Sequence, residues 1–97
     1  MEVKINGPLL REASDALQPH LSGVLDGLCA EVVDQDVIIY KINRHNDLSV
    51  TPVWSYKGGE VVHRDGDTLP VTYERPEGKK WGFFMTDDKR ALIALKS

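Results

Sequence analysis

Apolar residues recur at a helical interval from Pro8 to Asp36. At roughly 100° per residue, Leu10, Ala13, Leu17, Leu21, Val24, Leu25, Leu28 and Val32 fall on one stripe. Its width is that of a helix lying on a core. Arg11, Glu12, Asp15, Gln18, Ser22 and Asp26 point away from it. Asn6-Gly7-Pro8 makes a helix start, with Pro in the first turn, where its missing N–H costs nothing. Pro19 interrupts the segment, because inside a helix it removes a hydrogen bond and meets the carbonyl of Asp15. The apolar phase nevertheless runs through it. The pattern therefore predicts a helix over 8–36, either kinked at Pro19 or split there into two. Ahead of it, Met1–Ile5 alternates as a short strand.

From Val37 onward the period changes. Short apolar runs alternate with turn residues, as in an antiparallel meander. The runs are Val37–Ile42, Leu48–Tyr56, Val61–Arg64, Leu69–Arg75, Lys80–Thr86 and Ala91–Leu95. Between them lie Asn43–Asp47, Lys57-Gly58-Gly59, Asp65-Gly66-Asp67, Pro76-Glu77-Gly78 and Asp87–Arg90. Gly-Gly is a strong two-residue hairpin signal. Pro52 marks its run as an edge strand or the site of a bulge. Alternation puts Leu48, Val50, Trp54 and Tyr56 on one side, Leu69, Val71 and Tyr73 on one side, and Trp81, Phe83 and Met85 on another. Val37–Ile42 is apolar on both sides, which reads as a central strand.

The fold class is α+β: one N-terminal amphipathic helix on an antiparallel sheet of about five to six strands spanning 37–96. A single helix covers one face of such a sheet. The other face must be polar, curl towards a half-barrel, or meet a partner. Ala16, Gly23, Gly27 and Ala30 add a small-residue seam beside the helical stripe. It reads first as close packing on the protein's own sheet or a local break at Gly23, and second as a contact with a partner or a second copy.

Composition narrows the class. Ninety-seven residues make one domain, 1–97, enough for a helix-on-sheet core but not for a deep walled active site as well. Cys29 is the lone cysteine, so there is no intrachain disulfide and no multi-cysteine metal site; it reads as a small buried thiol. No basic leader with an apolar run and no long apolar stretch is present, which points to the cytoplasm and away from membranes. Residues 1–37 hold two basic against seven acidic side chains, a net −5, whereas 38–97 carry +2. The helix is an acidic face on a mildly basic remainder.

Candidate chemistry is thin. His20, His45 and His63 show no metal-ligand spacing. His63-Arg64-Asp65 shares three letters with a kinase catalytic loop, but no glycine-rich phosphate loop or Asp-Phe-Gly accompanies it. Asp65-Gly66-Asp67 reads as a turn rather than a cation loop, which needs more oxygen ligands. No nucleophile motif appears, and no enzyme, metal or cofactor is expected.

Two binding readings stand. The first is a non-enzymatic protein-binding regulator of inhibitor, antagonist, immunity or adaptor type, acting alone or as a homodimer. Its contacts are Trp54, Tyr56, Asp15, Asp26, Arg44 and His45, with Leu48–Tyr56 as the edge strand that accepts a partner. The second is a nucleic-acid module using Arg44, Lys79, Lys80, Lys89 and Arg90, with turns gathered at one end beside exposed aromatics. The net charge of −3 weighs against it.

Overall fold

A computed structural model describes residues 7–20, 27–44, 47–80 and 82–95. Helix α1 (Gly7–Leu17) buries Leu10, Ala13 and Leu17, the stripe expected of it. Each leucine fully buried this way contributes about 1.5–3 kcal/mol. The helix stops at Leu17, and Gln18–His20 is a single 3-10 turn. The cause is Pro19, which disfavours helix at the residue before it and supplies no N–H to continue the ladder.

The helix predicted over 8–36 is corrected in its second half. By Leu28 the chain is strand. β1 (Leu28–Val33) and β2 (Asp36–Asn43) pair antiparallel from Leu28↔Lys41 to Val33↔Asp36. Asp34 in the turn between them takes a φ of 56°, a left-handed conformation that Asp tolerates better than most residues. The small-residue seam dissolves with the helix. Ala16 is on α1, Ala30 is on β1 and Gly27 precedes β1, while Gly23 lies outside the described residues. Ala13, Ala16 and Ala30 meet in one cluster, so their small size brings α1 close to the protein's own sheet. The Met1–Ile5 strand also falls outside the described residues.

Five more strands follow: β3 (Ser49–Lys57), β4 (Glu60–His63), β5 (Leu69–Glu74), β6 (Phe83–Thr86) and β7 (Ala91–Leu95). The pairings β1–β2, β2–β3, β3–β5, β5–β6, β6–β7 and β7–β1 return to their starting point. The sheet is a closed antiparallel barrel. Of the three outlets for the sheet's second face, the chain takes curling and completes it. Closure pairs the strand edges that an open sheet would leave bare.

The barrel separates two clusters. Inside it are Cys29, Tyr40, Ile42, Val50, Val71, Phe84 and Leu92. On its outer surface Leu28, Ala30, Val37, Ile39 and Tyr56 pack under Leu10, Ala13 and Leu17 of α1. β2 contributes to both, as its two apolar faces predicted. Burial pushes the Cys29 thiol up to about 12.

β3 departs from simple alternation. Ile39 pairs with Trp54 but Tyr40 pairs with Pro52, so the register slips at Val53. A bulge of this kind turns every later side chain to the opposite face. Val50 therefore points into the barrel while Trp54 and Tyr56 lie under the helix, and the predicted shared face is corrected. Pro52 sits at the bulge, as one of its two readings required. The other reading fails, because β3 is paired on both edges.

β4 and β5 are two halves of one bent strand. Both run antiparallel along the same edge of β3, with Trp54↔His63 in one half and Ser49↔Pro70 in the other. Residues 64–68 are the irregular join between them, tied by a 2.8 Å bond between the Thr51 and Thr68 hydroxyls. Asp65-Gly66-Asp67 is thus no hairpin turn, contrary to expectation. The parity of every later turn shifts by one.

Candidate functional site

That shift disperses the predicted basic cluster. Strand directions place the connections 34–35, 58–59 and 87–90 at one end of the barrel. The ends of β2 and β5 and the starts of β3 and β6 lie at the other. Arg44, Lys79 and Lys80 therefore share an end, while Lys89 and Arg90 sit opposite. Asp47, Glu74 and Glu77 accompany the first group, as does Arg75. Arg90 is committed within the fold. Its guanidinium bonds Glu31 Oε1 at 2.9 Å and Asp88 Oδ2 at 3.0 Å. The Thr86 hydroxyl and Arg90 hold the Asp88 carboxyl below its usual range.

Glu31 is the buried charge of the barrel, 7% exposed. The Tyr40 hydroxyl donates to its Oε1 at 3.1 Å alongside Arg90. Among the described residues no buried side-chain nitrogen or oxygen lacks a partner, and no three metal-ligating side chains gather. His63 and Asp65 approach to 3.8 Å, both well exposed. This end of the barrel is closed by a satisfied network.

The residues expected to touch a protein partner separate as well. Tyr56 is buried under α1, where burial and a hydrogen bond with Glu12 raise its pKa. Trp54 is half-buried and its ring lies 6.3 Å from that of His20. Asp15 is exposed on α1, and Arg44 is at the far mouth. Asp26 and His45 lie outside the described residues.

Two features were not anticipated. The first is the edge of β4. β4 pairs with β3 alone, so its other edge has no strand beside it among the described residues. The Arg64 N–H donates to the Val53 carbonyl at 3.0 Å, which fixes the phase of the ladder. Glu60 and Val62 then turn their backbone groups towards β3, and Val61 and His63 turn theirs outward. Val62 is 49% exposed, and α1 packs beside the strand. The sequence concealed it, because Asp65-Gly66-Asp67 reads as a reversal that would bring the next strand beside β4, whereas β5 continues along β3.

The second feature is the mouth at the opposite end. A pocket of about 560 Å³ opens there between Leu28, Ile42, Leu48, Phe84 and Leu95, with Arg44 and Tyr73 at its sides. Ile42 and Phe84 belong to the barrel interior, so the floor of the pocket is the core itself. Gly27, at φ 99°, lets the backbone press on Ile42, and the Ile42 N–H donates to its carbonyl at 2.8 Å. Tyr73 packs edge-on against Phe84 at 5.3 Å and crosses Gly82, where a Cβ would overlap its ring and hydroxyl.

Compared with known proteins, the chain matches no family model, no curated protein and no solved structure. Among the described residues no helix is long and apolar enough to cross a membrane.

Proposed function

We propose that this chain is a non-enzymatic, cytoplasmic protein-binding regulator that captures an extended segment of its partner along β4. The observation that carries the reading is the edge of β4 that no described strand pairs, in a sheet otherwise closed on itself. Strand addition draws affinity from main-chain bonds and specificity from alternate side chains. Here the outward donors and acceptors are those of Val61 and His63, and Val62 is the exposed apolar contact. Trp54 pairs across from His63, and Glu12 and Asp15 lie on the neighbouring helix. A segment carrying basic residues suits that flank.

The test is capture of a partner by tagged protein, with and without nuclease, comparing wild type with His63→Pro. Proline at this position removes an outward donor and leaves the bonds to β3 in place. A stoichiometric, nuclease-resistant partner lost in His63→Pro, with Tm unchanged, supports the reading. A partner retained by the variant, or bound only through nucleic acid, overturns it.

A further inference from the structure

The barrel mouth has a chemistry of its own, distinct from the β4 edge. Its floor is apolar, and among the described residues Arg44 is the one charged residue lining it. Arg44 is exposed and makes no ion pair with any described residue. A Cβ on Gly27 would lie 3.7 Å from the Arg44 guanidinium, so the charge lies against the rim of the mouth. A pocket of about 560 Å³ is within the range of small-ligand sites, which pair apolar walls with a few placed polar groups.

We propose that the mouth binds a small amphipathic carboxylate, its apolar body on Ile42, Leu48 and Phe84 and its carboxylate on the Arg44 guanidinium. The planar fork of arginine matches a carboxylate in two parallel hydrogen bonds. Tyr73 lies along the side of the apolar body, held by Phe84. Neither half of such a ligand suffices alone. An apolar body without charge leaves Arg44 unpaired, and a bare anion gains nothing from the walls.

The probes are decanoate, decanol and acetate, titrated into 15N-labelled protein. Decanoate is expected to saturate with amide shifts centred on Gly27, Ile42, Leu48 and Phe84. Decanol should bind at least tenfold more weakly, and acetate should not saturate. Arg44→Gln should reduce decanoate to the affinity of decanol while leaving decanol unchanged. Ala94→Phe, which fills the mouth from an exposed strand position, should abolish both with the fold intact by its amide spectrum. The proposal is overturned by equal affinity for decanoate and decanol, by indifference to Arg44→Gln, by shifts scattered over the surface, or by no saturable binding at millimolar decanoate.

Discussion

Arg90, in the last hairpin turn, donates from Nη1 to Oε1 of Glu31 on the first strand at 2.9 Å. The bond ties the turn before β7 to β1, where the last strand closes on the first. Burial works against the charge of Arg90, yet Asp88 and Glu31 more than offset it and its pKa is raised. Arg90→Ala leaves Glu31 buried with the Tyr40 hydroxyl as its only side-chain partner among the described residues. The expected loss is about 1–3 kcal/mol, the cost of a buried group left short of partners, moderated because the Arg90 side chain is 38% exposed. Replacing both residues with methionine should recover part of it, since a buried pair exchanged for apolar groups is often near neutral. Urea unfolding of the single and double variants checks the coupling.

Alkaline pH should weaken the fold. The Tyr40 phenol is pushed up to about 12 by burial and then by the Glu31 carboxylate, and burial does the same to Cys29. Both groups are neutral at pH 7, and both have folded values above their unfolded ones. Their stabilisation is therefore complete below about pH 9 and lost as the pH climbs towards 12. Ionising Tyr40 alone removes on the order of 3 kcal/mol. Tyr40→Phe should be less stable than wild type at pH 7 yet lose stability less steeply above pH 10. An unchanged slope in urea unfolding across that range would remove Tyr40 as the cause.

The β-half of the chain was legible because its turns carry their own chemistry. Gly58-Gly59 and Pro76–Gly78 ended strands where expected, and β2 declared both its faces. The helical half misled at Leu28 and Val32. Their spacing of four suits one face of a helix and, being even, one face of a strand. Only the pairing with β2 decides between them, and pairing is not a local property. Closure was hidden for the same reason, since it rests on contacts between β1 and β7. Asp65-Gly66-Asp67 failed differently. Asp-Gly suits a reversal by itself, but residues 64–68 instead join β4 to β5 along one edge of β3, with Gly66 close against Pro52. One misplaced reversal then put Arg90 at the wrong end and joined Arg44 to a cluster that does not form.

Gly27 should tolerate no side chain. Its φ of 99° lies outside what L-residues adopt readily, and a Cβ would stand 3.2 Å from Cβ of Ile42. Neither atom belongs to a flexible side-chain end. Gly27→Ala is expected to cost at least about 1–2 kcal/mol from the backbone alone and to displace Ile42 at the mouth. Thermal unfolding gives the first, and amide shifts at Ile42 and Arg44 give the second. A variant as stable as wild type would mean that the backbone relaxes freely there.

The β3–β4 turn offers the opposite case, a glycine that can be improved. Gly58 and Gly59 have φ of 58° and 83°, the pair of positive values that a two-residue type I′ turn requires. No heavy atom lies within 4 Å of a Cβ built on Gly58, so a side chain there meets open space. Asparagine is the residue that best accepts the left-handed region at the first turn position. Gly58→Asn should then stabilise the protein by about 0.4–1 kcal/mol, chiefly by reducing the freedom of the unfolded chain. Gly58→Val, β-branched and strained at positive φ, should destabilise it. Opposite shifts in Tm for the two variants would establish the turn type. A loss with asparagine would show that β4 is held by something other than this turn.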